Sequence, residues 1–460
     1  MNEFSKLEAA TEATPEPVVI PVEAYISENY ARTERDKLWR KCWLQAGRVE
    51  DLPEVGSYIT YEILDDSVLI VRVAEGDAAN GAEGKIKAYR NVCTHRGRRL
   101  VDTPKGERNA HGQRMNFVCG FHAWTFELDG KASYIQSKED WGPKLCDEVT
   151  RLGEVNIDTW GGFVWINLDP EAEPLRDYLE PAATMLDPFQ LQNMRPRWRN
   201  WTVFDCNWKV ALEAFNETYH VPGTHPEFTE FGDFTGWGRP QGKHSHIGYD
   251  TGEGPKENAS KLRLGAGDPR TTTAVMQKYT WEGVNTNTTK TLVDVAQTLP
   301  DVLPEGTSAA EVLRYWLETS RKIDAERGVV WPEVDPAHVA ASGTSWQIFP
   351  NQQIGHAVNN MLCYQARPYG YNPDKCIFEV AVYELYPEGE EADTQWQYAD
   401  PADFPHVLLQ DFSNMAAVQQ GMKMGGYAGN MPNPKAEGAV ISLHRNLARY
   451  MGTGEPKELG

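Results

Sequence analysis

What this sequence lacks narrows its function before any motif is considered. No stretch of its 460 residues reaches 18 consecutive apolar positions, so no segment is expected to span a bilayer as a helix. It also has no basic excess. Its 45 Lys and Arg stand against 66 Asp and Glu, a formal net charge of −21, which argues against a nucleic-acid or anionic-membrane partner because both normally require basic patches. The opening MNEFSKLEAATEATPEPVVI has no basic stretch leading into an apolar one, so no secretory signal is read and a cytoplasmic location is expected. Cysteine is sparse and odd in number: seven residues, at 42, 93, 119, 146, 206, 363 and 376. That spread is unlike the dense disulfide framework of a small secreted domain and leaves reduced thiols available to metals. Internal repeats and low-complexity tracts are absent as well.

What is present is an ordinary globular composition, 40% hydrophobic and 24% charged, over a length that calls for more than one domain. The 15 Trp, 19 Tyr and 15 Phe suit an aromatic-lined pocket and a large core equally well. Residues 1–20 read as a loose arm, and 27–47 has helical periodicity. Short alternating segments at 57–64, 67–73 and 85–92, closed by GGFVWINLDP at 161–170, read as a small antiparallel β unit. Beyond about residue 170 the pattern becomes α+β. Strands are expected near 201–206, 345–350, 360–368 and 377–387, and helices over 207–220, 308–326, 405–424 and 437–451. The polar, Gly/Thr-rich stretch 250–340 reads as an elaboration on the second domain.

Two of the cysteines have histidine neighbours at ligand spacing. NVCTHRGRRL supplies Cys93 and His95, and FVCGFHAWTF supplies Cys119 and His122, with 23 residues between His95 and Cys119. Two thiolates and two imidazoles on loops between strands fit structural zinc, or a [2Fe–2S] cluster in which two Cys hold one iron and two His the other. The flanks favour the cluster: CTHRGRRL and CGFHAWTFELDG resemble the two cluster-binding loops of Rieske domains. The chain departs from that pattern in a longer gap between the loops, and in Gly120-Phe121 and Ala123 where Pro-Tyr and Gly are commoner. His111, inside the gap, reads as a solvated loop histidine.

A second constellation lies in NWKVALEAFNETYHVPGTHPEF, residues 207–228, where Glu217 precedes His220 by three positions and His225 follows by five. On an unbroken helix the two histidines would diverge by about 140°, but Pro222 and Gly223 end the helix between them. Two histidines and a carboxylate on one face can hold a non-heme Fe(II) and leave positions open for O2. The stretch is similar to the catalytic segment of Rieske non-heme iron aromatic-ring-hydroxylating oxygenase α subunits. By that resemblance His220 and His225 are iron ligands, the third is Asp411 in LLQDFSNMAAVQQGM, with Asp403 and Asp400 as alternatives, and Glu217 is not a ligand. The terminal EGAVISLHRNLARYM also resembles the family's last helix, with His444 read as an ordinary packing or surface residue.

The resemblance implies an α+β protein in which a small antiparallel β Rieske [2Fe–2S] domain is inserted in a larger helix-grip catalytic domain, an antiparallel sheet gripped by helices. The divisions are 1–40, an N-terminal arm and helix packing on the catalytic domain; 41–169, the Rieske domain; and 170–460, the mononuclear-iron domain, with 250–340 variable. It implies a [2Fe–2S] Rieske cluster, a mononuclear Fe(II), O2 as co-substrate, and NAD(P)H acting only through a ferredoxin or flavin reductase. The implied activity is hydroxylation of an aromatic or related hydrophobic ring in aromatic hydrocarbon catabolism. Oxidative O- or N-demethylation is the alternative within the family, and a zinc-stabilised binding protein the alternative outside it. A homotrimer is implied, with a small β subunit left open. In that trimer Glu217 bridges a neighbour's His122 to its own His220 for electron transfer.

Overall fold

The computed structural model describes residues 15–79, 84–231, 236–249, 267–392 and 394–459. Most of the expected N-terminal arm and residues 250–266 of the expected elaboration lie outside these. The chain divides into two units, Arg32–Leu179 and a second made of Met1–Ala31 with Glu180–Gly460. Among the described residues no helix is long and apolar enough to cross a membrane.

The helical pattern over 27–47 is only partly realised. Helix α1 (Glu28–Glu34) continues as one wide turn over Arg35–Trp39, and strand β1 (Leu44–Arg48) follows. Pairing with the later Phe163–Asn167 overrides the local periodicity there. The arm is not loose throughout either, because Val18–Val19 pairs antiparallel with Lys457–Glu458.

The smaller unit is built from short antiparallel strands. β2 (Ser57–Ile63), β3 (Asp66–Arg72), β4 (Ile86–Arg90) and β5 (His111–Gln113) form one sheet in the order β4-β3-β2-β5. β6 (Asn116–Val118), β7 (Thr125–Glu127) and β8 (Ala132–Tyr134) form a second. β9 (Asn156–Trp160) and β10 (Phe163–Asn167) complete a third with β1. Leu69, Val71, Phe117 and Phe126 pack in a core that also takes in Cys93, Cys119 and Trp124, so the candidate ligand loops are anchored from beneath.

The larger unit is organised on an eight-stranded sheet. Its strands are β11 (Arg195–Phe204), β12 (Gly236–Gln241), β13 (His244–Tyr249), β14 (Ser345–Ile348), β15 (Gln352–His356), β16 (Asn360–Pro368), β17 (Cys376–Glu384) and the short β18 (Gln397–Tyr398), in the order β12-β13-β14-β15-β16-β17-β11-β18. One face carries helix α2 (Trp208–Glu213) with the segment after it, and the terminal helix α9 (Gly438–Met451). Phe215, just past α2, stacks on Tyr364 of β16 at 4.0 Å. At the other end the backbone of β12 meets α9 so closely that a Cβ on Gly238 would lie 2.8 Å from the Ala439 nitrogen. Between β13 and β14 the chain makes α4 (Pro269–Tyr279), α5 (Lys290–Val302), α6 (Ala309–Glu326) and α7 (Pro336–Ser342). Here α5 and α6 have their own core of Leu292, Ala296, Leu299, Val312 and Trp316. A reciprocal cap between Ser308 and Glu311 starts α6 where the sequence places it.

The opposite face of the sheet buries His246 of β13 and His356 of β15. Burial holds both below the ordinary imidazole range, His246 at about 3 and His356 at about 4. Their unfolded values lie near about 6.5. Between these limits the unfolded chain binds protons that the folded chain refuses, so stability is full above about pH 6.5 and falls as the pH drops through the folded values. Thermal unfolding followed from pH 7 to pH 4 is expected to show this loss. His356→Phe keeps a ring against Phe189, 4.4 Å away, and is expected to flatten the acid slope by about one proton.

Candidate metal centres

In the smaller unit, Cys93 and Cys119 each open a tight turn closed by two backbone hydrogen bonds. The Cys93 N–H donates to Arg98 O (2.7 Å) and the Gly97 N–H to Cys93 O (3.0 Å). The second loop repeats this: Cys119 N–H to Trp124 O (2.8 Å) and Ala123 N–H to Cys119 O (3.0 Å). Gly97 and Ala123 thus hold equivalent positions, and both are left-handed, at φ +76° and +57°. Only Ala123 bears the Cβ penalty, and its side chain is exposed. Ala123→Gly is therefore expected to raise stability by up to about 1 kcal/mol, read as a higher Tm with an unchanged visible cluster spectrum.

The donors sort by type. Burial pushes the Cys93 thiol up, the His95 backbone N–H pulls it down, and hydrogen bonding to Cys119 pushes it up again. The His95 and His122 rings lie 4.7 Å apart, edge to face. His95 is also stacked on Trp124 at 4.9 Å. A tetrahedral zinc would draw all four donors around one point, with bonds of about 2.0–2.3 Å. Here the contacts run within each donor type, Cys93 with Cys119 and His95 with His122. A thiol pair facing an imidazole pair suits a two-iron cluster instead. The buried His122 Nδ1 has no partner within the chain, as a ligand nitrogen requires. His111 is exposed on β5, outside this group.

In the larger unit the expected helix over 207–220 is cut short. Asn207 caps α2 by accepting the Lys209 N–H, but α2 ends at Glu213. Glu217 then turns back on the backbone, accepting the N–H groups of Tyr219 and of His220, the latter at 3.0 Å. A carboxylate capping its own downstream amides competes with a continuing helix. A one-turn helix, α3 (Val221–Thr224), separates the two histidines.

The resulting turn brings His220, His225 and Asp411 together, the last from helix α8 (His406–Gly421). Their ligand atoms all lie within 4.8 Å. His225 Nε2 is 2.9 Å and His220 Nε2 3.4 Å from Asp411 Oδ1. The other ring nitrogens are occupied: His220 Nδ1 by Glu217 (2.5 Å) and His225 Nδ1 by Gln410 Oε1 (2.7 Å). Both imidazoles are thereby turned so that Nε2 faces the carboxylate, an arrangement suited to a metal held by two nitrogens and one oxygen. Glu217 stands behind His220 and is not part of the three-residue group. Asp400 caps the turn at Ala402, and both it and Asp403 are exposed.

Sequence reasoning placed Glu217 against His220 and missed the other supports. Gln410 immediately precedes Asp411, which was its one visible signal. Glu227 accepts the Tyr279 hydroxyl at 2.5 Å, beside a cluster of Phe228, Phe231 and Tyr279 in which Phe228 meets both other rings and the His225 ring edge-on. His444, read as an ordinary packing or surface residue, is buried in a polar cluster: its Nε2 lies 2.6 Å from Glu213, which also accepts the Tyr25 hydroxyl at 3.0 Å.

Residues 175–453 match the family described as ring hydroxylating alpha subunit (catalytic domain), and residues 42–145 match the Rieske [2Fe-2S] domain. Over 208 residues the chain is 29% identical to the glycine betaine monooxygenase oxygenase subunit of Pseudomonas aeruginosa, covering 45% of each. Over 214 residues it is 28% identical to the carnitine monooxygenase oxygenase subunit of Escherichia coli, covering 46% of this chain and 53% of that one. The alignments thus span about half the length of these relatives. Its fold is similar to a quaternary ammonium Rieske monooxygenase, at TM-score 0.60 and 17% identity over 96% of this chain and 100% of that one. Naphthalene 1,2-dioxygenase gives TM-score 0.59 and 17% identity over 95% and 93%.

Proposed function

The chain belongs to the ring-hydroxylating oxygenase α-subunit family with a Rieske [2Fe–2S] domain, and from that premise we propose that it is a terminal oxygenase component that hydroxylates an aromatic or related hydrophobic ring. The observation that carries this reading is the convergence of His220, His225 and Asp411 with both histidines held by their outer nitrogens. Cys93, Cys119, His95 and His122 would hold the cluster and the other three the iron. When bound, these groups supply single electrons from a ferredoxin or flavin reductase and the activation of O2.

The protein's own residues orient and shelter that chemistry. Glu217 and Gln410 fix the imidazoles, and Phe228 packs edge-on against the His225 ring with Tyr279 behind it. A homotrimer with Glu217 linking one subunit's iron to its neighbour's cluster is part of the same proposal. It is supported by Phe121 beside His122 and Tyr219 beside His220, large side chains that are 55% and 60% exposed next to their centres.

Monooxygenation of a quaternary ammonium compound, with oxidative demethylation, is the second reading, favoured by the glycine betaine and carnitine relatives. O2 uptake by the reconstituted holoenzyme with a reductase, against ring compounds and against betaine and carnitine, separates the two by the product mass. Absence of coupled uptake, or a protein carrying zinc at Cys93 and Cys119, overturns both.

A further inference from the structure

The face of the eight-stranded sheet that meets α2 and α9 carries an unusual row of side chains. Ser245 pairs with Gln347, Gln347 with Gln353, and Gln353 with Tyr364, each directly across neighbouring strands. Directly opposed residues project from the same side of a sheet, so the four form one line across β13, β14, β15 and β16. That side is the one occupied by the iron-ligand segment. Tyr364 stacks on Phe215, and its phenol is pushed up by burial and then by the Asp411 carboxylate.

The first three members of the row are buried, Ser245 at 0% and both glutamines at 1% exposure. Each nevertheless keeps an atom without a partner in the protein: Ser245 Oγ, Gln347 Oε1 and Gln353 Oε1. Their amides are held in place, Gln353 Nε2 donating to Ser345 Oγ at 2.6 Å and Gln347 Nε2 to Pro350 O at 3.3 Å. Buried polar groups are nearly always paired, because an unmade hydrogen bond is costly. Three adjacent exceptions on fixed side chains, facing the metal-site helices, describe a surface complementary to a ligand. The same face of β12 to β16 presents no charged residue: its other positions are Gly236, Gly238, Pro240, Ile247, Tyr249, Ser345 and Gly355, then Asn360, Leu362, Ala366 and Pro368. The strands themselves therefore offer no counter-charge, the nearest carboxylates being Asp411 and Glu217 on the facing segments beside Tyr364 and Tyr249, and a quaternary ammonium, having no N–H, cannot pair with the glutamine oxygens.

Resting on the oxygenase reading above, we propose that Ser245, Gln347 and Gln353 are specificity-determining residues that form the floor of the substrate site. They select a ring compound bearing an uncharged hydrogen-bonding substituent, a hydroxyl or an amide, over a bare hydrocarbon and over a permanent cation. The floor works by pairing: a substituent that donates to the glutamine oxygens removes the cost of leaving them unmade, which a methyl group cannot do.

The test is equilibrium binding to the holoenzyme of three probes that share a phenyl ring, benzyl alcohol, toluene and benzyltrimethylammonium, each followed by O2 uptake with reductase. Benzyl alcohol is expected to bind about tenfold more tightly than toluene, the scale of one or two net hydrogen bonds. Gln353→Leu is expected to bring that ratio to about threefold or less by loss of one such bond, with toluene binding unchanged or tighter. Ser245→Ala removes a single atom and tests the same point should the leucine disturb folding, which the visible cluster spectrum and iron content report. Equal binding of the alcohol and toluene by the native protein, tightest binding of the cation, or variants that weaken all three probes alike each overturn the floor and leave a polar seam of structural role only. Selective binding without O2 uptake would instead retain the floor and sink the oxygenase reading.

Discussion

Replacing Asp411 by Ala is expected to release the mononuclear iron and abolish O2-dependent turnover while leaving the Rieske cluster intact. The carboxylate is the sole oxygen donor of the three-residue group and lies within 3.4 Å of both Nε2 atoms. Removing even an outer partner of a metal ligand costs roughly 10–100-fold in affinity, so loss of the ligand itself should exceed about 100-fold. The variant would also leave two imidazole Nε2 atoms facing each other without the carboxylate charge between them. The measurement is iron content per chain with the visible spectrum of the reduced cluster: the mononuclear iron should be lost and the cluster spectrum retained. Asp400→Asn is the control, since Asp400 serves only to cap Ala402 at an exposed turn. An Asp411→Ala protein that keeps its full iron complement sinks the assignment of this aspartate as a ligand.

This contrast also shows what the sequence could convey. The Cys93–His95 and Cys119–His122 pairs declare themselves because their spacing is local and each pair occupies a single loop. The same holds for His220 and His225, which Pro222 and Gly223 mark as a pair around a helix end. Asp411 has no such local mark. His225 and its support Gln410 are 185 positions apart, and one aspartate among three nearby could be chosen only through resemblance to a family. Glu227 with Tyr279, and His444 with Tyr25 and Glu213, were invisible for the same reason. Each is polar, each satisfies a partner far away in the chain, and periodicity says nothing about such pairs.

Local periodicity also misjudged elements wherever a competing interaction was stronger. The stretch 27–47 has helical periodicity, yet Leu44–Arg48 is a strand because Phe163–Asn167 offers it backbone partners. The helix expected to run to residue 220 ends at Glu213, where the Phe215 and Asn216 amides bond back only three residues to Leu212 and Glu213 and the Glu217 carboxylate then takes the Tyr219 and His220 amides. In contrast, α8 and α9 fall within a few residues of their expected limits, 405–424 and 437–451. Long amphipathic helices carry their own evidence, and a helix bent around a metal centre does not.

The same carboxylate carries the second large effect. Glu217 is nearly buried, 9% exposed, and its three acceptor contacts are all to residues 219 and 220. A glutamine in its place keeps one oxygen to accept from the turn but substitutes an amide for the other and removes the charge. His220 therefore keeps its position while losing the charge-assisted bond at Nδ1. If Glu217 serves only to orient His220, Glu217→Gln should weaken iron binding within the roughly 10–100-fold range of other supporting residues and slow single and steady turnover alike. If it also joins the neighbouring subunit's His122, the two rates should part. A single turnover with a pre-reduced cluster and iron, in which both centres start charged, should remain within a few-fold of the native rate. Steady turnover, which needs each iron to be refilled from a neighbour, should fall by about 100-fold, equivalent to ~2.7 kcal/mol of added barrier. Equal losses in the two rates confine Glu217 to its own subunit. Loss of the mononuclear iron would make it a ligand, against the geometry that places its carboxylate on the far side of the His220 ring.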